Sequence, residues 1–169
     1  MCRHGCRSLT IERGGIRYRA IATVFHRPAG WGVRAGWGVR LAVAATPVDG
    51  MAHGFRGPLQ LSGSVYRLAP FVEDTAWGFL SGSGIYSSVP QLKPGTTKQL
   101  TARYPDPGSK DVIRPGHRLY LTAEIAQVVN NASRKSGSPK VVTVVLTVPH
   151  SGDPRVRIVD PRKSPHWTD

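Results

Sequence analysis

Apolar and polar residues alternate with a period of two along most of this chain, and glycine or proline cuts the alternation at short intervals. That pattern limits the folds open to it. Nineteen Gly and fourteen Pro fall among 169 residues, and no uninterrupted run holds an apolar period of 3.6 over helical length. Ile16, Tyr18, Ala20, Ala22 and Val24 alternate with Arg17, Arg19 and Thr23, which predicts a strand over 16–24. The hexapeptide AGWGVR then occurs twice in tandem, at Ala29–Arg34 and Ala35–Arg40. Six is a multiple of two. A regular strand through both copies therefore keeps Trp31, Val33, Ala35, Trp37, Val39, Leu41 and Val43 on one face, with Gly32, Arg34, Gly36, Gly38 and Arg40 on the other.

Beyond Met51 the turn signals become regular. Leu59–Leu61 and Val65–Leu68 read as two strands split by Ser62-Gly63-Ser64, and Trp77–Leu80 and Ile85–Val89 flank a hairpin turn at Ser81-Gly82-Ser83-Gly84. Pro94-Gly95 leads into Lys98–Tyr104, and Pro115-Gly116 into His117–Val129. The β-branched run Lys140–Val148 and a short strand Arg155–Val159 follow, with a polar, basic loop over Asn130–Pro139. LTAEIAQVV at 121–129 contains good helix formers, but period-two matches outnumber helical ones there and a strand is expected. The fold class is therefore all-β, an antiparallel sandwich or small barrel. Across 92–129 the order of a Pro-Gly turn, a strand, a short loop and another strand resembles the third β-barrel domain of elongation factor Tu. Those turn residues occur in many β proteins, and no site is carried over.

Charge organises the chain a second way. There are 23 Lys and Arg against 10 Asp and Glu, a net of +13. Residues 1–50 hold eight Arg and no Lys against Glu12 and Asp49, whereas 51–130 hold eight basic and five acidic residues. Residues 131–169 hold seven basic residues against three Asp. The composition shift at Met51 suggests a basic N-terminal extension over 1–50 with one or two strands, a β-domain over 51–160, and a Pro-broken tail over 161–169; translation starting at Met51 is an alternative reading. A field of this sign attracts polyanions through counterion release.

Catalytic chemistry finds no foothold. The glycine-rich Gly78–Gly84 lacks the G-x-S-x-G nucleophile elbow, and the strand-like Ile-Tyr-Ser-Ser-Val after it gives no helix mouth for a phosphate. Glu73 and Asp74 are neighbours that would face opposite sides of a strand, and the six His form no H-x-H or H-E-x-x-H pair. Cys2 and Cys6 flank His4, but no further cysteine completes a thiolate site, so two exposed thiols at a frayed terminus are expected. No catalytic residue, cofactor or metal is assigned. The expected role is a non-enzymatic binding or assembly module that contacts another macromolecule, either a protein partner or a second copy through β edges. The alternative is a sequence-nonspecific nucleic-acid or polyanion binder using Arg17, Arg19, Arg34, Arg40, Arg134, Lys135 and Lys140; an enzyme with a site assembled from distant loops ranks third. No apolar run is long enough to span a bilayer and the polar start does not resemble a secretory signal, so a cytoplasmic location is expected.

Overall fold

The computed structural model describes residues 5–30, 32, 34–69, 71–81, 89–105, 112–130, 135–137 and 140–162. Eleven strands are formed among them, and no helix. In chain order they are β1 (Cys6–Arg13), β2 (Ile16–Arg27), β3 (Gly36–Pro47), β4 (His53–Leu68), β5 (Phe71–Ser81), β6 (Val89–Leu92), β7 (Lys98–Tyr104), β8 (His117–Asn130), β9 (Lys135–Gly137), β10 (Lys140–Val148) and β11 (Arg155–Val159). They pair into two antiparallel sheets. The first has the order β1-β2-β3-β7; the second runs β11-β10-β8-β4-β5, with β6 pairing β4 and β9 pairing β8.

Alternation decides what lies between the sheets. Ile16, Tyr18, Ala20 and Ala22 of β2 and Val39, Leu41, Val43 and Ala45 of β3 point inward and share one apolar cluster with Leu119, Leu121, Ala123 and Ile125 of β8 and Val144, Leu146 and Val148 of β10. The chain is thus a sandwich of two sheets over a common core. Residues 6–47, expected as a basic extension of a 51–160 domain, instead supply three of the four strands of the first sheet. Their arginines hid this. Arg17, Arg19 and Arg40 occupy outward positions whose two neighbours are core residues, so high charge and deep burial coexist along β2 and β3.

Other expectations shift in detail. β1 goes unpredicted from CRSLTIER because an edge strand buries few of its side chains, here Cys6 and Ile11. Ser62-Gly63-Ser64 is no turn: β4 runs straight through it. A Cβ on residue 63 would lie 2.3 Å from the Tyr120 carbonyl oxygen, so the glycine permits close approach of β8. The Asn130–Pro139 loop includes β9, which pairs back onto the end of β8. Cys6 is buried and disulfide-bonded rather than an exposed thiol. Cys2, Trp31, Val33, Arg134, most of the Ser81–Gly84 turn and the tail from 163 lie outside the described residues.

Two polar staples hold the sandwich. Arg13, at the end of β1, donates Nη2–H to Asp160 Oδ1 at 2.9 Å just beyond β11, and Nη1–H to the Lys140 carbonyl at the start of β10. This ties the first sheet to the second. His53, fully buried on β4, faces both oxygens of Asp49 with Nε2 at 2.9 and 3.0 Å, which pins the turn between β3 and β4.

Candidate binding face

Register brings the outward residues of the first sheet together. Arg17, Arg19, Ile21, Thr23 and Phe25 of β2 alternate with its core residues, and opposite them β3 presents Thr46, Ala44, Ala42, Arg40 and Gly38. β7 continues the rows with Gln99, Thr101 and Arg103. Small side chains occupy the middle. Ala42 and Ala44 floor a shallow basin of about 400 Å³ whose rim includes Arg17, Arg19, Thr97 and Gln99.

Arg40 and Arg103 stand directly opposite each other on β3 and β7. Like charges in that position destabilise a strand pair. The ring of Phe25 relieves the conflict: the two guanidinium carbons lie 4.9 and 4.7 Å from its centroid, so each cation meets the π face. Arg103 Nε–H also donates to the Pro105 carbonyl at 3.1 Å. Gly38 makes room for the cluster. A Cβ there would fall 2.5 Å from Phe25 Cζ, 2.7 Å from Pro105 Cδ and 2.4 Å from the Tyr104 carbonyl oxygen.

The neutralisation of this face is uneven. Arg17 donates Nε–H and Nη2–H to Glu12 Oε1 at 3.1 and 3.0 Å, but both side chains are about half exposed, and such pairs contribute only about 0–1 kcal/mol. Arg19, Arg40 and Arg103 form no ion pair among the described residues.

Of the basic residues singled out from sequence, Arg17, Arg19 and Arg40 share this face. Arg34 is exposed in the connection before β3, not on a strand, because β3 begins only at Gly36. Lys135 opens β9 and Lys140 opens β10, both in the second sheet. The strands of Lys135 and Lys140 therefore belong to the sheet opposite the arginine face. Trp37 lies on the inner side, packs against the core and meets His26 edge-on at 4.8 Å, so it offers no stacking surface beside the arginines. Arg103 was the residue missed. Leu100, Ala102 and Tyr104 alternate inward around it, which marks it as outward; the pairing of β7 with β3, some sixty residues away, is what sequence order conceals.

No protein-family model matches the chain. No curated protein matches it either. Among solved structures, it is similar to an X-ray structure of a Northeast Structural Genomics Consortium target at 12% identity and a TM-score of 0.49, over 80% of this chain and 88% of that one. It is also similar to a Bordetella pertussis protein that carries the provisional name ApaA, at 12% identity and a TM-score of 0.44, over 79% of this chain and 95% of that one. Likeness of this degree transfers neither site nor activity. Among the described residues no helix is long and apolar enough to cross a membrane.

Proposed function

We propose that the protein is a non-enzymatic binding module that holds an acidic protein surface against the outer face of its first sheet. One observation carries this reading: Arg19 on the rim of the alanine-floored basin, and Arg40 and Arg103 farther along the same outward face, form no ion pair among the described residues. Arginine forks match carboxylates bidentately, and the Phe25 ring restrains two of them before any partner arrives, which lowers the entropy lost on binding. The inward Trp37 favours a protein over a nucleic-acid partner, because the aromatic ring that this face does present, Phe25, is already engaged by the guanidiniums of Arg40 and Arg103.

Charge reversal tests it. Binding of poly-glutamate by R19E/R40E/R103E is compared with binding by K93E/R114E/K140E, which changes the same charge at residues outside the face. The first variant is expected to lose about tenfold or more in affinity and the second about twofold. Equal losses would reduce the face to a diffuse field. Tighter binding of duplex DNA than of poly-glutamate, with log affinity falling against log salt at a slope of about −3 or steeper, would favour a phosphate-tracking role instead.

A further inference from the structure

The second sheet carries a separate cavity, built by the alternation of RVRIV in β11. Val156 and Ile158 turn into the core, leaving Arg155 and Arg157 on the opposite side. In register, Arg155 stands beside Thr147 of β10, and Thr147 beside Arg118 of β8. Two arginine backbones thus flank one threonine, about 9.6 Å apart across two strand spacings. Together with Arg7 of β1 and Asp153, these residues line a cavity of about 560 Å³.

The cavity is organised as well as basic. Arg118 Nε–H donates to Thr147 Oγ1 at 3.0 Å and Nη1–H to the Tyr120 hydroxyl at 3.3 Å, so its guanidinium has a set direction. Tyr66 meets the Tyr120 ring edge-on at 5.5 Å and supports it. Arg155 and Arg157 are exposed and form no ion pair among the described residues. Arg7, Arg155 and Arg157, none of them in an ion pair among the described residues, stand against the single carboxylate of Asp153 in this lining and leave it positive. Val145 and Pro154 add an apolar wall to the same cavity.

We propose that this cavity binds a small organic phosphate monoester, its phosphate oxygens on the arginines and its organic part against Val145 and Pro154. A tetrahedral dianion suits the exposed guanidiniums of Arg155 and Arg157, since each offers two parallel donors to two oxygens, with Arg7 lining the same space from β1. The volume falls within the range of small-ligand sites, about 300–1,000 Å³. The inference is independent of the first-sheet face, and its test keeps the two apart.

The full chain is titrated calorimetrically with phenyl phosphate and with inorganic phosphate at about 150 mM salt, where diffuse surface attraction is largely screened. Saturable one-to-one binding is expected, tighter for phenyl phosphate. R155Q/R157Q should weaken it about tenfold or more, while R19Q/R40Q leaves it within about twofold. These four positions are exposed, so neither variant removes a core contact. Absence of saturation, equal losses in the two double variants, or no preference for the phenyl ester would each overturn the proposal.

Discussion

Asp160 receives arginines from two directions: Arg162 donates to it through its backbone N–H and its guanidinium, and Arg13 reaches it from β1. The Arg162 hydrogen bond is the main reason its carboxyl is depressed to about 2, with burial opposing the shift and the Arg13 charge reinforcing it. A carboxylate depressed in the folded state stabilises fully above its ordinary value, and that contribution fades as pH falls through the folded value. Stability should therefore hold above about pH 4 and sag between about pH 4 and pH 2, the sag shrinking in D160N when the two acid-unfolding curves are compared. At neutral pH the same substitution should cost about 2 kcal/mol in denaturant titration, because Arg13 and Arg162 lose a charged acceptor. Asp49 adds to the acid sag with the same sign, its carboxyl held low chiefly by the hydrogen bond from His53. None of these partnerships was legible in the sequence. Arg13 and Asp160 are 147 positions apart, and only the docking of β1 near the end of β11 makes them neighbours.

The tandem AGWGVR shows what periodicity can and cannot specify at the scale of an element. From Trp37 its second copy follows the predicted alternation, with Val39 inward and Arg40 outward, and Leu41 and Val43 carry the pattern on, whereas Ala35, expected inward, is exposed before β3 begins. The described residues of the first copy, Ala29, Gly30, Gly32 and Arg34, lie outside the strand, although its sequence is identical. The difference lies in the partner: β2 pairs with β3 from Ile16↔Pro47 to Arg27↔Gly36 and stops before Pro28, which has no N–H to give a ladder. The repeat preserves side-chain parity but carries no information about where its partner ends. Glycines are equally ambiguous by eye, reading as turns at Gly63 and as weak strand positions at Gly38. Gly38→Ala should be destabilising by about 2 kcal/mol or more, since its new methyl meets a carbonyl oxygen and a proline ring as well as Phe25. Thermal unfolding would measure the loss. Gly50→Ala is not a suitable control, because its φ of +79° strains any side chain. Gln99→Ala, on an exposed position of β7, should change stability by no more than about 0.5 kcal/mol.

At the scale of the whole molecule, the all-β class and most strands were legible because local alternation is a local signal: β7, β10 and β11 coincide with their expected spans. The division at Met51 was misleading for a reason equally physical. Composition counts every residue, whereas a sheet segregates them, so an arginine-rich segment with buried Ile16, Tyr18, Val39 and Leu41 looks like an arm while forming one side of the core. A chain beginning at Met51 would leave Leu119, Leu121, Val144 and Leu146 without the opposing sheet, and should be molten or insoluble, with no cooperative melting transition. Native-state hydrogen exchange, resolved strand by strand on the full chain, tests the account most directly, since both halves should open as one cooperative unit. Amides of Tyr18, Ala20, Leu41 and Val43 are predicted to share the opening free energy of those of Leu119, Leu121, Val144 and Leu146. Rapid exchange throughout 6–47 beside strong protection across 59–148 would contradict it and return the first fifty residues to the role of an appended basic arm.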